Sequence, residues 1–360
     1  MSIGARASES KELSVDARMP KRYVFSANDH NGNHYLSRLD QLLKTKVSHT
    51  IPFRAHDVLC LNNNSIIGFG RRPGFFCTKV NFETGASQTI EAAEGRHFYG
   101  HGCLSADDSL LFTTENNFDK VQGVIGVRDA STLKPLGEFS SFGIGPHDIH
   151  LMPDNKTLVV ANGGIQTHPD FGRRKLNLKT MQPSLVYIDV ATGNKLGEYR
   201  LDDHLLSIRH LTLTVQGDVG VAMQYQGDIY RQQPQALVAW QSKNGELVPF
   251  NVANDIIESC HGYMADLAYD PELQLLAATS PRGNCLMVWD ITTQRYCYAV
   301  NVLEVSGIQF SKQQKVFLVS TAEGQLLSIR AMRDRAQISV VAQYEMIKWD
   351  NHLVLGPGAN

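Results

Sequence analysis

The chain has 360 residues, of which 42% are hydrophobic and 19% charged, and its formal net charge is −2. This length allows a large buried core, arranged either as one all-β unit or as two ordinary domains. The near-neutral charge argues against nucleic acid or an anionic membrane surface as a partner. The sequence has no run of roughly 18 apolar residues, so membrane insertion is not predicted.

The first 20 residues are polar and are expected to be disordered, because they precede the first predicted strand. They contain no apolar segment of the kind found in an export signal. Ala5-Arg6-Ala7 has the small-x-small form of a signal cleavage site, which fits either a trimmed signal or chance. The next segments, Lys21 to Ala27 and His34 to Asp40, are predicted to be the second and third strands of a sheet.

One sequence pattern then recurs along the chain, most clearly at residues 145–163, GPHDIHLMPDNKTLVVANG. An alternating apolar segment begins at a histidine, a turn of Asn, Asp, Gly or Pro follows, and a nearly continuous apolar run ends in polar residues. Successive copies start 41–63 residues apart, with a period near 45, which is typical of β-propeller blades. The copies align at His56, His101, His147, His210, Asp266, Gly307 and His352.

These copies predict an all-β fold, a single seven-bladed β-propeller of the WD-repeat or lactonase-like kind over residues 21–356. Each copy supplies a four-stranded antiparallel sheet that must stack against its neighbours to bury both faces. The last copy has no strands after it, so we predict that it is the inner strand of the blade begun at the N-terminus. Pairing of the N- and C-terminal strands would then close the ring. The inner strands are predicted to start near residues 56, 101, 147, 210, 266, 307 and 352.

The predicted geometry brings polar residues together on one face, because the loops before the first strands and after the second strands lie there. Two insertions, residues 163–184 and 226–234, elaborate this face, where binding sites usually lie. The candidates for metal or ligand binding are His56, His101, His147, His210, His352, Asp266 and Glu115. The candidates at the rim are His30, Arg71, Asn116, Asn162, Arg209 and Arg282.

Five histidines at one repeated position suggest a metal site, because neutral imidazole is the commonest metal ligand. Two or three of them can hold iron, copper or zinc, with a carboxylate added by Glu115 or Asp266. The alternative is that each histidine bonds a neighbouring blade's backbone or a buried aspartate. Asp57 and Asp148, which directly follow two of the histidines, favour this alternative.

Several arginines are predicted near the same face, and together they suit an anion such as a carboxylate or phosphate. The alternative is a set of separate ion pairs with Glu94, Glu115 or Asp119. The basic cluster Arg173-Arg174-Lys175 in the first insertion is interpreted as a solvated loop. The arginines in question are Arg54, Arg71, Arg72, Arg96, Arg209 and Arg282.

Known catalytic motifs are absent from the sequence: it has no GxSxG, HExxH, P-loop, GxGxxG or CxxCH pattern. No catalytic or cofactor-binding residues are therefore predicted, and a binding protein is favoured over an enzyme. A metal-dependent hydrolase or oxidoreductase stays an alternative by analogy with other propellers. The six cysteines contain no CxxC pair and are interpreted as packed thiols, with a Cys285–Cys297 disulfide as the alternative.

Residues 100–117, 142–185 and 206–213 resemble a bacterial family known as domain of unknown function 1513. The likeness extends over about residues 20–356. Members of the family usually carry a twin-arginine export signal and are often encoded near proteins of iron uptake. The resemblance therefore implies a periplasmic location and a link to iron, but no activity. The residues that match its motifs are His101, Glu115, Asn116, His147, Asn162, His168, Arg209 and His210.

We therefore expect a periplasmic monomer that binds a metal ion or a small anionic ligand at its histidine-rich face. A second hypothesis is a protein-interaction scaffold that uses loops 163–184 and 226–234 to contact a periplasmic partner. In that case the histidines would serve packing alone.

Overall fold

The computed structural model describes residues 23–40, 43–44, 46–61 and 64–356. The disorder predicted for residues 1–20 lies outside this part of the chain. Strands are numbered here in chain order. The first seven are β1 (Tyr23–Asp29), β2 (His34–Leu39), β3 (Lys46–Ile51), β4 (Ala55–Cys60), β5 (Ser65–Gly70), β6 (Phe76–Asn81) and β7 (Ser87–Glu91).

The central part of the chain continues in the same way, with four strands to each repeat. They are β8 (Arg96–Leu104), β9 (Leu110–Asn117), β10 (Gln122–Asp129), β11 (Pro135–Ser140), β12 (Pro146–Leu151), β13 (Thr157–Asn162), β14 (Ser184–Asp189), β15 (Lys195–Tyr199), β16 (Leu206–Leu213), β17 (Val219–Tyr225), β18 (Val238–Gln241) and β19 (Leu247–Pro249).

A short helix, α1 (Asn254–Ser259), precedes the last two complete repeats and the terminal strand. These strands are β20 (Asp266–Asp270), β21 (Leu275–Ser280), β22 (Cys285–Asp290), β23 (Arg295–Asn301), β24 (Val305–Ser311), β25 (Val316–Thr321), β26 (Gln325–Ala331), β27 (Ala336–Gln343) and β28 (Ile347–Leu355).

The strands form seven antiparallel four-stranded sheets, which confirms the predicted seven-bladed propeller. Six blades use four consecutive strands, whereas the first has the order β28-β1-β2-β3. In that blade Tyr23 pairs with Leu355 and Phe25 with Leu353. The two ends of the chain therefore close the ring as predicted, and closure removes the open edges between the first and last blades.

The inner strands begin one to five residues before the predicted positions in six of the seven blades, at Ala55, Arg96, Pro146, Leu206, Val305 and Ile347. The reason is that the pairing register shifts inside these six strands. Such a β-bulge inserts an extra residue and turns its side chain. The repeated histidine position lies at or beside the bulge, so the strand continues on both sides of it.

Burial follows strand position within each blade. The second strands β5, β21 and β25 are buried at every residue, because neighbouring blades cover both of their faces. The outer strands β7 and β11 are mostly exposed. Among the described residues, none of the helices has the length and apolarity that a membrane crossing requires.

The six cysteines are all free thiols. The alternative of a Cys285–Cys297 disulfide is wrong, because β22 pairs Cys285 with Asn301 and Cys297 lies at a bulge in β23. Cys285 instead lies beside Cys260, whose thiol also contacts the sulfur of Met287 at 3.1 Å.

Candidate functional site

Five histidines from five inner strands meet at the centre of the ring. Nine of their ten ring pairs have centroids 4.5–5.9 Å apart. Each residue is at most 9% exposed. The structure thus brings together the five histidines that the repeat predicted, and they are His56, His101, His147, His210 and His352.

Four of these residues form a compact group, called here the four-histidine cluster: His56, His101, His210 and His352. One ring nitrogen from each lies within 4.8 Å of those from the other three. In a tetrahedral metal site with bonds of about 2.0–2.1 Å, ligand nitrogens lie roughly 3.3 Å apart. The four nitrogens are thus close enough to belong to one site, and the side chains must move closer together to share one ion.

The bulges explain why these side chains point into the channel. In β4, Ala55 pairs with Gly70 and Asp57 with Phe69, so His56 is the extra residue. His147 has the same place in β12. In β16 the extra residue is Arg209, and His210 follows it. Arg209, rather than His210, therefore occupies the place that His56 and His147 have in their strands. The sequence alignment of the repeats is wrong by one residue here, because a bulge does not change the hydrophobic pattern.

His56 lies among the other rings, and neither of its ring nitrogens has a hydrogen-bond partner. Burial, followed by the charges of neighbouring histidines, holds its pKa well below the ordinary value of 6.5. The backbone at Gly100 makes room for it: a Cβ there would lie 2.7 Å from Cδ2 of His56, and φ is +114°. A buried imidazole without partners costs about 1–3 kcal/mol, so the fold keeps this group at an energetic expense.

Carboxylates orient two members of the four-histidine cluster. Nδ1 of His101 lies 3.1 Å from Oδ2 of Asp57, and Nδ1 of His352 lies 3.2 Å from Oδ2 of Asp266. In the neutral ring a carboxylate partner holds the proton on Nδ1, so Nε2 carries the lone pair once any second proton has left. Nε2 is unpartnered in both histidines. This is the arrangement in which carboxylates commonly orient metal-binding histidines.

A second chain of contacts joins the cluster to an arginine. Nη1 of Arg209 lies 3.4 Å from Nδ1 of His147, whose Nε2 lies 3.1 Å from Nε2 of His210. A guanidinium can only donate, so Nδ1 of His147 accepts and Nε2 carries the proton that bonds His210. His147 therefore connects Arg209 to the four-histidine cluster.

The buried carboxylates also set the charge of the cluster. Burial disfavours protonation of His352, but the charge and hydrogen bond of Asp266 outweigh it and raise the pKa of His352 to about 9. Burial, reinforced by positive neighbours, lowers the pKa of His147 and His210 well below 6.5. The site thus favours one positive charge beside Asp266, which either a proton or a metal cation can supply.

Below the cluster, the channel opens into an acidic cavity of about 400 Å³, lined by Asp57, Asp148 and Asp266 among others. Asp148 accepts the backbone N–H of Leu211 at 2.8 Å, and Asp266 accepts that of Ile308 at 3.1 Å. Each aspartate thus joins its inner strand to the next blade. Asp266 therefore corresponds to Asp148 rather than to His147, the second place where the alignment is offset by one.

On the opposite side lies a cavity of about 270 Å³, called here the cationic pocket. His56 and His147 form part of its floor, and Tyr99, Tyr263 and Gln224 belong to its wall. None of the described residues that line it is acidic. Its basic side chains are Arg71, Arg72, Arg173, Lys175, Arg209 and Arg282.

Two predicted residues have other partners. Glu115 lies on β9 and accepts hydrogen bonds from Nη2 of Arg128 at 2.8 Å and Oγ1 of Thr113 at 2.7 Å. The structure therefore does not bring it to the histidines, because this carboxylate is held by Arg128. Asn116 donates to Nε2 of His97 at 3.2 Å, outside the cluster.

The remaining rim candidates divide between the pocket and other places. Arg71, Arg209 and Arg282 line the cationic pocket. Asn162 is fully buried and donates to the carbonyl of Ser141 at 2.9 Å. His30 is exposed in the turn between β1 and β2.

Sequence reasoning missed several pocket residues. Arg173 and Lys175 belong to the basic cluster for which the sequence predicts a solvated loop, and the structure leaves them exposed but on the pocket wall. Asn177 accounts for this placement, because its side chain ties the insertion back by bonding the amide of Gln166 at 2.7 Å and the carbonyl of Gly164 at 2.9 Å. The signal available in the sequence was the position of the basic cluster within an insertion on the histidine-rich face.

Comparison with known proteins gives a family and a fold. The sequence profile of the family described as "Protein of unknown function (DUF1513)" matches residues 49–356. A chain of "Kuenenia stuttgartiensis Hydrazine Synthase" is 14% identical with a TM-score of 0.63, covering 91% of this chain and 100% of that one. A chain of "Crystal Structure of Mitotic Checkpoint Complex" is 12% identical with a TM-score of 0.59, covering 98% of each. No curated protein matches. At these identities the structures show a shared fold alone.

Proposed function

We propose that this chain, which belongs to the DUF1513 family of unknown function, binds a transition-metal ion at the four-histidine cluster. The observation that carries the proposal is the set of four buried imidazoles with nitrogens within 4.8 Å of one another. Neutral imidazole suits zinc, copper and iron. The residues that would hold the ion are His56, His101, His210 and His352.

The groups around the cluster support this function. Asp57 and Asp266 bond Nδ1 of His101 and His352, and Nε2 of each ring has no hydrogen-bond partner. The buried carboxylates also favour a positive charge at this point, which suits a cation. A purely structural role explains the Nδ1 contacts of His101 and His352 with their aspartates. It does not explain His56, whose ring nitrogens have no hydrogen-bond partner.

Iron as the physiological metal and a periplasmic location are further parts of the proposal, and both rest on the family resemblance. Divalent copper binds most nitrogen sites more tightly than iron or zinc does, so selection would depend on which metal is available. Cell fractionation of a strain that expresses the natural gene tests the location. Metal analysis of protein purified from that strain tests the iron assignment.

The experiment for metal binding uses protein without a histidine tag. Bound metal is measured by mass spectrometry, and the metal-free protein is titrated with Fe(II), Cu(II) and Zn(II). We expect about one tightly held ion per chain, because the four histidines form a single compact group. His56→Ala should lose it without breaking a hydrogen bond, whereas His204→Ala, at an exposed position, is the matched control. A wild-type protein that takes up none of the three metals would refute the proposal.

A second candidate function is a protein-interaction scaffold, which one observation favours. The two insertions expose large apolar side chains: Phe171 is 48%, Leu176 37% and Tyr230 93% exposed. Exposed aromatic residues are common anchors of protein interfaces. Removing residues 166–182 should abolish capture of a partner and leave the metal content unchanged. Leu136→Ala, at an exposed apolar residue on β11, is the control.

A further inference from the structure

We propose that the cationic pocket is a binding site for a small oxyanion with two or more negative charges, of the dicarboxylate or phosphate class. We also propose that this anion and the metal of the four-histidine cluster strengthen each other's binding. The anion site stands on the pocket alone, whereas the coupling rests on the proposed metal function.

The pocket collects its charge from four separate parts of the ring. Arg71 and Arg72 follow β5, Arg209 lies in β16 and Arg282 follows β21. The insertion at 163–184 adds Arg173 and Lys175. Six cations from distant points in the sequence thus meet around one cavity of about 270 Å³.

The contacts of these cations are to neutral groups. Arg72 bonds the hydroxyl of Tyr99 at 3.2 Å, and Arg282 bonds a carbonyl at 3.2 Å and lies over the ring of Tyr263. None of the six forms an ion pair with a described carboxylate. Arginines elsewhere in the fold do form such pairs, as Arg128 does with Glu115 and Arg96 with Glu138. The positive charge of the pocket is therefore available to a ligand.

Arg209 gives the most specific sign of a ligand. It is 6% exposed, and its buried Nε has no hydrogen-bond partner. Its Nη2 donates to Gln224 at 3.0 Å and its Nη1 lies 3.4 Å from Nδ1 of His147. A guanidinium that lines a pocket with five other cations and has no carboxylate partner is stabilised when an oxyanion binds beside it.

The chemistry of the lining defines the ligand class. A guanidinium presents paired N–H donors that match the oxygens of a carboxylate or a phosphate. Tyr263 lies on the same wall and can add a hydroxyl donor, whereas the hydroxyl of Tyr99 already donates to the carbonyl of Ile165 at 3.4 Å. Six positive charges exceed what a single carboxylate neutralises, so a multiply charged anion fits better. The ring of histidines closes the floor and favours a small molecule over a polymer.

The position of the pocket implies coupling to the metal. His56 belongs both to the pocket floor and to the four-histidine cluster. Arg209 reaches the cluster through His147 and His210. A metal cation at the cluster is repelled by six nearby cations, and a bound oxyanion offsets that repulsion. By thermodynamic linkage, the metal must then increase the affinity for the anion by the same factor.

Isothermal titration calorimetry of the untagged protein at low ionic strength tests the anion site. The probes are inorganic phosphate and sulfate for the tetrahedral class, malonate and succinate for the dicarboxylates, and acetate as the monovalent comparison. We expect at least one divalent probe to bind at least about tenfold more tightly than acetate, since the pocket offers several charges at once. The stronger of the two classes identifies the ligand chemistry. No binding by any divalent probe would overturn the proposal.

Two neighbouring residues give a matched pair of variants. Lys175 lines the pocket, whereas Arg174 lies over the ring of Phe171 outside it. Both are exposed, so neither substitution threatens the fold. Lys175→Ala should weaken binding of the best probe by about threefold to fivefold, and Arg174→Ala by less than about twofold, because only the first removes a charge from the site. Equal losses would mean a diffuse charge effect and would refute the site.

The coupling is measured by titrating the best probe into metal-free and metal-loaded protein. We expect roughly tenfold tighter anion binding in the loaded form, within the usual range of coupling between sites. Arg209→Gln should reduce this ratio more than Lys175→Ala does. Equal affinities in the two forms would refute the coupling. A protein that takes up no metal would refute the proposed metal function and the coupling, and would leave the anion site as measured.

Discussion

The two ends of the channel carry opposite charges that are satisfied in different ways. At the acidic end, Asp148 and Asp266 each bond the backbone N–H of the next blade, at 2.8 and 3.1 Å. At the cationic end, Arg72, Arg209 and Arg282 contact hydroxyl, amide, imidazole or carbonyl groups. The aspartates therefore bond each blade to the next, whereas these arginines contact neutral groups only.

Buried charge alone therefore does not identify a binding site. A carboxylate that accepts two backbone N–H groups is already stabilised, and removing it leaves those donors buried without partners. A cation whose partners are neutral retains most of its attraction for an anion. The cluster between the two ends combines both conditions, with Asp266 fixing His352 and nothing among the described residues bonding His56.

The acidic end should give the largest effect on stability. Asp148→Ala removes the acceptor of the Ile149 and Leu211 N–H groups and a partner of His101, so the unfolding free energy should fall by about 2–4 kcal/mol. Urea denaturation measures this loss. Asp228→Ala, at an exposed carboxylate, is the control and should change it by less than about 0.5 kcal/mol. A change this small for Asp148→Ala as well would mean that water replaces its contacts.

The ring itself could be predicted from the sequence because a blade is a repeated unit. A period near 45 residues and a final copy without following strands were enough to predict seven blades closed by the chain ends. The five histidines could be predicted to converge for the same reason. A shared position in each repeat becomes a shared position around the axis.

The exact partners could not be predicted, because they depend on single-residue shifts. A bulge places Arg209 where the other strands have His56 or His147, and sequence periodicity does not register one inserted residue. The sequence predicts Glu115 among the ligands, but side chains alternate along β9 and this carboxylate bonds Arg128 instead. The pocket also depends on how the 163–184 insertion folds back, which is set by contacts of Asn177.

A second prediction concerns His97, a buried histidine whose two ring nitrogens, unlike those of His56, both have hydrogen-bond partners. Nδ1 of His97 donates to the carbonyl of Phe98 at 2.9 Å, and Nε2 accepts from Asn116 at 3.2 Å. Burial lowers the pKa of His97 to about 4, against 6.5 in the unfolded chain. Between these values the unfolded state binds more protons, so the unfolding free energy should fall as the pH drops from 6.5 to 4.

The share of this loss that belongs to His97 should be about 2–3 kcal/mol, and it should be absent above the unfolded pKa. Denaturation at about pH 7 and about pH 4.5 measures it. His97→Gln cannot titrate, so its stability should fall less with acid than that of the wild type, while His204→Gln, at an exposed site, should behave as the wild type does. A variant that is as acid-sensitive as the wild type would place the effect in the cluster instead.

The smallest effect, with the opposite sign, is expected at the cationic end. Arg71 lies in the pocket, where burial and the charge of Arg54 lower its pKa. Arg71→Gln should leave the unfolding free energy unchanged or raise it by less than about 1 kcal/mol at low salt, and salt should remove the gain by screening the other cations. With phosphate or malonate present the order should reverse, because a ligand stabilises only the protein that binds it. Arg174→Gln is the control outside the pocket. A clear loss of stability in the anion-free protein would show that the arginines, like the aspartates, hold the blades together.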